Sequence, residues 1–295
     1  MDANELLQLL YSNPPVIVQG ITSPVARHHT ENMMAYGTRI VGGVRPGAGG
    51  QRVCGVEVFD RVEDVVRQRG AEVSILFVPA RVAKEAALES IEAGIRLIVL
   101  VTEHIPLHDT LCILEEAWRR GVFVLGPNTP GLILPWVGFK LGFLPQMYFS
   151  KGGVAIASRS GTLTYEVAYR LNRRDIGQSI ALGVGGDSVV GMPFKRILPI
   201  FEADPHTRVI LLIGEVGGIG EEEAAEWIAS GGGTKPVVAY LAGRSAPSGK
   251  RMGHAGALIF GKRGTIESKL RAFRGAGVMV ADELRDIVPL VAGAL

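Results

Sequence analysis

The sequence is poor in several things that would each point to a particular way of life. Only two cysteines, Cys54 and Cys112, occur in 295 residues. That is too few, and too far apart, for a disulfide framework or a zinc site, and it fits a reducing compartment such as the cytoplasm. Charge of one sign is also lacking: 31 Lys and Arg against 29 Asp and Glu give a net charge of +2, with no basic block to track a phosphate backbone. Nucleic acid is therefore not an expected partner. No apolar run reaches the 18 or so residues of a membrane span, and the first residues are acidic where a signal peptide is basic. The reading is a soluble, unprocessed protein with no membrane partner. Aromatics are sparse at 6%.

Glycine, by contrast, is abundant, with 39 residues. Glycine marks backbone that turns tightly or lets a ligand approach. At 47% hydrophobic and 20% charged, the chain has ample material for packed cores, and its length suits two domains. Short β-branched runs recur at Val16 to Gln19, Arg39 to Val44, Val73 to Val78, Leu97 to Val101 and Val122 to Leu125, with helical periodicity between them. Continuous rather than alternating hydrophobicity predicts strands covered on both faces, hence a parallel α/β sheet. The stretch from Gly126 to Gly153 breaks the rhythm with prolines, glycines and aromatics and reads as a connector. A second series of strands follows at Val154 to Ala157, Ile180 to Val184, Val209 to Ile213, Val237 to Leu241 and Val278 to Val280. The expected organisation is one doubly wound domain over residues 1–127, a connector over 128–153 and a second α/β domain over 154–295.

In open parallel sheets ligands sit beyond the carboxyl ends of the strands, so the loops there carry the chemistry. The loop Gly20-Ile-Thr-Ser-Pro-Val-Ala-Arg27 lacks G-x-G-x-x-G, and no acid closes the second strand, which disfavours a nicotinamide site. No G-x-x-x-x-G-K-[ST] is present either. Glycines 20, 42, 43 and 47 could serve a phosphate-bearing ligand or plain turns. In the second domain, Ser158-Arg-Ser-Gly-Thr-Leu-Thr-Tyr-Glu166 joins a strand to a helix, so its free N–H groups and helix dipole form an anion site or, more plainly, an ordinary cap by Ser160 or Thr162. Two acids, Asp187 and Glu215, follow strands among glycines. His254 lies among small residues that would leave its ring free to reach a phosphoryl group, where neutral imidazole is a competent nucleophile near pH 7, or, more plainly, it is a surface or hydrogen-bonded histidine. The remaining histidines, at 28, 29, 104, 108 and 206, sit in polar or helix-edge contexts, and no metal-ligand motif is found.

Together these segments resemble the α subunit of succinyl-CoA synthetase and related nucleoside-diphosphate-forming CoA ligases. The match is collinear: Gln19-Gly-Ile-Thr22, Ala35-Tyr-Gly-Thr38, Val41-Gly-Gly43, Gly126-Pro-Asn128, Ser158 to Glu166, Gly185-Gly-Asp187, Ile213-Gly-Glu215 and Lys250-Arg-Met-Gly-His-Ala-Gly256. The resemblance implies a Rossmann-like CoA-binding domain followed by a flavodoxin-like ligase domain. It implies a phosphorylated histidine at His254 held by Glu215, a phosphate-receiving helix start at Ser160, Gly161 and Thr162, and Tyr165 near the carboxylic substrate. CoA would contact Gly20, Thr22, Ser23, Pro24, Val25, Arg45, Ala48, Val101, Thr102, Glu103 and Asn128. It also implies an ATP-grasp β subunit, in an αβ or α2β2 heteromer, that binds most of the ATP or GTP with Mg²⁺, and succinate or a similar dicarboxylate such as malate as the acid. The alternative expectation is a non-catalytic paralogue that binds a CoA-like ligand or a partner subunit.

The chain departs from the family on the CoA side. Two glycines of the first loop are replaced by Ser23 and Ala26, with Pro24 beside them, and a lysine of the second loop is Ala48. A serine at a position needing φ > 0 would be strained, but Ser-Pro is also a good N-cap and first-turn pair, so the helix could start a turn early. Arg45 or Arg27 could replace the lost lysine charge.

Overall fold

The computed structural model describes residues 2–243, 254, 259 and 263–295. The chain divides into two compact units, one of residues up to Gln146 with Val189–Gly191, the other of Met147–Ser188 with Met192–Leu295.

The first unit opens with α1 (Ala3–Tyr11), started by a capping box in which the Asp2 carboxylate accepts from Glu5 N–H and the Glu5 carboxylate accepts from Asp2 N–H. Then come β1 (Val16–Gln19), α2 (Pro24–Tyr36), β2 (Ile40–Val44), a small hairpin of β3 (Arg52–Val53) and β4 (Val56–Phe59), and α3 (Val62–Arg69). β5 (Val73–Leu76), α4 (Ala80–Glu92), β6 (Leu97–Leu100), α5 (Leu107–Arg119) and β7 (Phe123–Leu125) complete the wind. The strand order is β3-β4-β2-β1-β5-β6-β7, parallel throughout except for the β3–β4 pair. Counting the parallel strands in chain order gives 3-2-1-4-5-6, the dinucleotide-fold order, whose switch point lies between β1 and β5. β1, β5 and β6 are buried along their whole length, as their continuous hydrophobicity predicts. Gln19 is the polar exception in β1, and its amide donates to Ser74 Oγ, Ser90 Oγ and the Ala86 carbonyl.

The stretch read as a connector contains regular structure that the reading missed. β8 (Gly131–Leu134) and β9 (Phe139–Gly142) pair as an antiparallel hairpin, buried on every residue, with β9 packed on α2. Its prolines and glycines are turn residues flanking strands of four residues each. In the same unit His29 occupies no polar edge. Its ring lies between Phe77 and Phe143 at 6.0 and 4.4 Å, and burial pushes its pKa down to about 4.

The second unit runs β10 (Lys151–Ser158), α6 (Gly161–Asn172), β11 (Gln178–Gly183), α7 (Phe194–Ala203), β12 (Val209–Glu215), α8 (Gly220–Ala229), β13 (Val237–Ala242), α9 (Ile266–Gly275), β14 (Met279–Ala281) and α10 (Ile287–Ala294). Its parallel strands lie in the order β14-β13-β12-β10-β11, which in chain order is the flavodoxin-like arrangement with a switch point between β10 and β12. No helix among the described residues is long and apolar enough to cross a membrane.

Candidate functional site

The first unit brings its expected ligand residues to the carboxyl ends of β1, β2, β6 and β7. Gly20 follows β1 with φ +73°, and a Cβ there would lie 2.5 Å from the Phe77 carbonyl oxygen, so only glycine fits this turn. Thr22 and Ser23 come next. Ser23 has φ −71° and extended backbone, so no left-handed strain arises; its Oγ accepts from Ala26 N–H at 3.2 Å, and Pro24 takes the first helical position. The helix starts at Pro24, with Ser23 as its cap. Ala26 N–H is thereby engaged in the cap, and Val25 beside it is exposed.

The second loop is held from within. The Asp60 carboxylate accepts from Gly47 N–H at 2.7 Å and from Gly49 N–H at 3.0 Å. Arg45 is exposed at the loop's start, whereas Ala48 is only 2% exposed. Beyond β6, Thr102 Oγ1 donates to the Val78 carbonyl and the Thr102 carbonyl accepts from Asn128 N–H, which ties Val101, Thr102 and Glu103 to the turn after β7.

The second unit builds its site from side chains. β10 ends at Ser158, whose Oγ accepts from Ser160 N–H, and Ser160 Oγ caps α6 by accepting from Leu163 N–H at 3.2 Å. The plain reading of this segment as a capped helix is therefore correct, and the anion reading is compatible with it. The N–H groups of Gly161 and Thr162 have no partner among the described residues and sit at the positive end of the helix dipole. Tyr165, one turn on, stacks on Tyr148 with ring centroids 6.2 Å apart.

Glu215 closes β12 and is 8% exposed. Its carboxylate lies 2.9 and 3.0 Å from His254 Nδ1. A carboxylate accepts only, so Nδ1 carries the proton, and Nε2 keeps its lone pair. This hydrogen bond, opposed by burial and helped by the charges of Glu215 and Asp187, holds the imidazole pKa above its usual value. The residues on either side, 244–253 and 255–258, lie outside the described residues, so the small-residue setting expected around His254 falls there.

Behind Glu215 stands a buried charge network that sequence reasoning missed. Arg159 Nε lies 3.4 Å from the Glu215 carboxylate, and its other nitrogen donates to the Gly217 carbonyl at 3.0 Å. The Glu221 carboxylate, fully buried at the start of α8, accepts from Glu215 N–H and pairs with Lys269. Lys269, itself 0% exposed, also donates to the carbonyls of Glu215 and Gly217 at 2.8 and 2.6 Å. Gly214 is required here because a Cβ would lie 2.6 Å from Glu221 Oε1. Glu215 and Glu221 thus each have a cation beside them, the condition for burying charge. Arg159 stood inside a recognised motif with no role assigned to it, and Lys269 could be found only from its i, i+4 spacing to the buried Phe273. No group of three His, Cys, Asp or Glu that could hold a metal occurs among the described residues.

A family model described as a CoA binding domain matches residues 12–104, and one described as CoA-ligase matches residues 157–279. The chain is 50% identical over 283 residues to the succinate–CoA ligase [ADP-forming] α subunit of Methanothermobacter thermautotrophicus, covering 96% of this chain and 95% of that one. The chain belongs to the succinate–CoA ligase α-subunit family. Its Aquifex aeolicus relative of the same name is 44% identical over 289 residues, 97% of this chain and 94% of that one. Among solved structures, ATP citrate lyase from Methanothrix soehngenii matches with a TM-score of 0.83 at 22% identity, covering 96% of this chain and 51% of that one, which shows a shared fold. Family membership makes this an acid–CoA ligase chain of two α/β parts, as the collinear motifs imply.

Proposed function

We propose that the chain is the catalytic α subunit of a succinate–CoA ligase working through a phosphohistidine at His254, with a β subunit that supplies the ATP or GTP site and its Mg²⁺. Three transfers complete the reaction. His254 Nε2 attacks the terminal phosphorus of the nucleotide, and the P–O bond to the diphosphate breaks. A carboxylate oxygen of the acid then attacks the phosphohistidine, giving acyl phosphate and free imidazole. CoA thiolate attacks the acyl carbon and expels inorganic phosphate. The observation that carries this reading is the Glu215–His254 Nδ1 hydrogen bond at 2.9 Å. It fixes the tautomer with Nε2 nucleophilic and offsets positive charge as the N–P bond forms. Gly161 and Thr162 N–H, at the helix start in the same unit, are donors suited to the phosphoryl oxygens. Tyr165 would border the acid, and Gly20, Thr22, Ser23, Pro24, Val25, Arg45, Ala48, Val101, Thr102, Glu103 and Asn128 would border CoA. The dicarboxylate is read as succinate from the names of the relatives. A non-catalytic paralogue is not favoured, because Glu215 and the charges behind it are in place.

The test is to co-express the chain with its β subunit and measure CoA-dependent release of ADP or GDP over a panel of carboxylic acids. Turnover with succinate is expected. Turnover with malate alone would replace the acid, and no turnover with any acid would return the chain to the non-catalytic reading.

A further inference from the structure

At the other end of α6 from Ser160, the chain forms a groove of about 760 Å³. Four guanidinium groups line it: Arg170, Arg173 and Arg174 from the end of α6, and Arg285 from the turn before α10. Its remaining wall is apolar, made of Ile176 with Val288, Pro289 and Ala292 of α10. No carboxylate lines it among the described residues.

Cations at a helix C-terminus offset the negative end of the dipole, which accounts for basic residues on α6. It does not account for Arg285, which arrives from a separate segment, nor for the convergence of all four on one concavity. Turn geometry produces that convergence. Arg174 N–H and Ile176 N–H both donate to the Leu171 carbonyl, and Asp175 takes φ 57°, so the chain doubles back and sets Ile176 beside the arginines. α10 adds its N-terminal turn, with Val288 and Pro289 in the wall, and the Asp286 carboxylate is turned away to accept from Glu283 N–H.

The four guanidiniums are not equally engaged. Arg170 pairs with Glu166 at 2.6 Å and Arg285 with Glu283 at 2.9 Å, both exposed pairs of the kind that exchange partners at little cost. Arg173 is steadied over the Tyr169 ring, 5.9 Å from its centroid, and donates to the Tyr169 hydroxyl at 3.2 Å. Arg174 has no ion pair among the described residues. Arg173 and Arg174 thus present cationic forks without a carboxylate, the geometry that receives phosphate bidentately.

We propose that this groove binds a small polyanion of the nucleoside polyphosphate class, its phosphates on the guanidiniums and its base or sugar against the apolar wall. The volume suits a ligand of that size, since small-molecule sites run to roughly 300–1,000 Å³. A simple di- or tricarboxylate would use the charge and leave the wall of Ile176, Val288, Pro289 and Ala292 without a purpose. α6, 12 residues long, sets the groove about 18 Å from the Ser160 end, so this inference stands whether or not His254 is phosphorylated.

Calorimetry on the full chain at low salt would use Mg²⁺-free ATP, tripolyphosphate and adenosine as probes. ATP is expected to bind, tripolyphosphate more weakly and adenosine not at all. The double variant Arg174→Glu, Arg285→Glu should lose about tenfold or more in ATP affinity, as expected for removal of charge-assisted contacts, with unchanged circular dichroism. His254→Asn should bind ATP as wild type does, which separates this groove from the phosphohistidine reading. Absence of ATP binding at millimolar concentration, or binding untouched by the double variant, would overturn the proposal. Tripolyphosphate binding as tightly as ATP would overturn the nucleoside part, and disappearance, in the complex with the β subunit, of the difference in ATP binding between wild type and the double variant would replace the small ligand with a protein occupant.

Discussion

The two units use one architectural device and fill it in opposite ways. Each is a doubly wound sheet with its loops at the carboxyl ends of parallel strands. In the first unit those loops are tied by separate contacts to backbone N–H groups: Ser23 Oγ accepts from Ala26 N–H, the Asp60 carboxylate from Gly47 and Gly49 N–H, and the Thr102 carbonyl from Asn128 N–H. In the second, the strand end at Glu215 is held by buried charge, from Arg159, Glu221 and Lys269. Contacts made one at a time are lost one at a time, at the modest cost of a single cap or turn. A site of mutually compensating buried charges loses a partner only at high cost. The contrast agrees with the sequence reading, in which the expected departures from the family pattern fall in the first unit.

The sharpest way to break this contrast is at His254. His254→Asn should abolish turnover and acid-labile phosphate incorporation while leaving CoA binding by the first unit intact, measured by radiolabel transfer and by calorimetry. Retained labile phosphate on the variant would remove the assignment.

Two buried lysines give a direct comparison of the units. Lys269→Met leaves Glu221 fully buried with Arg159 3.8 Å away as its remaining cation, and should destabilise by about 3–5 kcal/mol in thermal or urea melts. Lys140, 1% exposed in β9, has no carboxylate partner among the described residues; its ammonium donates to Gln146 Oε1, and burial lowers its pKa to about 8. The folded chain therefore releases this proton before the unfolded chain, whose value is 10.5, so stability should rise with pH between those values. Lys140→Met should remove that rise and cost little or nothing at neutral pH. Equal losses in the two variants would erase the distinction between the units.

Glu215→Gln should keep the fold and slow phosphorylation about 10²-fold or more. The sign of its pH effect follows from the geometry. Glu215 raises the His254 pKa, and only the neutral ring is nucleophilic, so wild-type phosphorylation should fall as pH drops through that raised value. Without the carboxylate the acid limb should move to lower pH. A limb that stays in place would mean that Glu215 does not set the ring's protonation.

The smallest effect is expected in the first unit. Arg45→Ala should weaken CoA binding, and a lost charge-assisted hydrogen bond corresponds to roughly 10- to 150-fold in affinity. Ala48→Lys should be a poor rescue, because position 48 is buried and the loop around it is already tied to Asp60.

Much of this arrangement was legible in the sequence because it is local. The strands β1, β2, β5 and β6 announce themselves by continuous hydrophobicity, Ser23-Pro24 by capping chemistry, and His254 with Glu215 by their collinear motifs. What stayed hidden depends on contacts distant in sequence. The β8–β9 hairpin, although local, looked like a connector because prolines and glycines crowd the stretch around its strands. Asp60 lies 11 to 13 residues from the glycines it holds, and Lys269 lies 54 from the Glu215 carbonyl. An isolated lysine in a helix carries no sign that its ammonium will be buried against a carboxylate.

The central claim is that His254 carries the phosphoryl group, and it is tested most directly by mapping the phosphate. The chain, assembled with its β subunit, would be incubated with ATP or GTP and Mg²⁺, digested under alkaline conditions and sequenced by mass spectrometry, before and after a chase with succinate and CoA. The account predicts one acid-labile phosphate, on His254, discharged by succinate as acyl phosphate forms, with CoA drawing that step to completion, or when diphosphate is returned. Phosphate on another residue, or phosphate on His254 that neither chase removes, would contradict it.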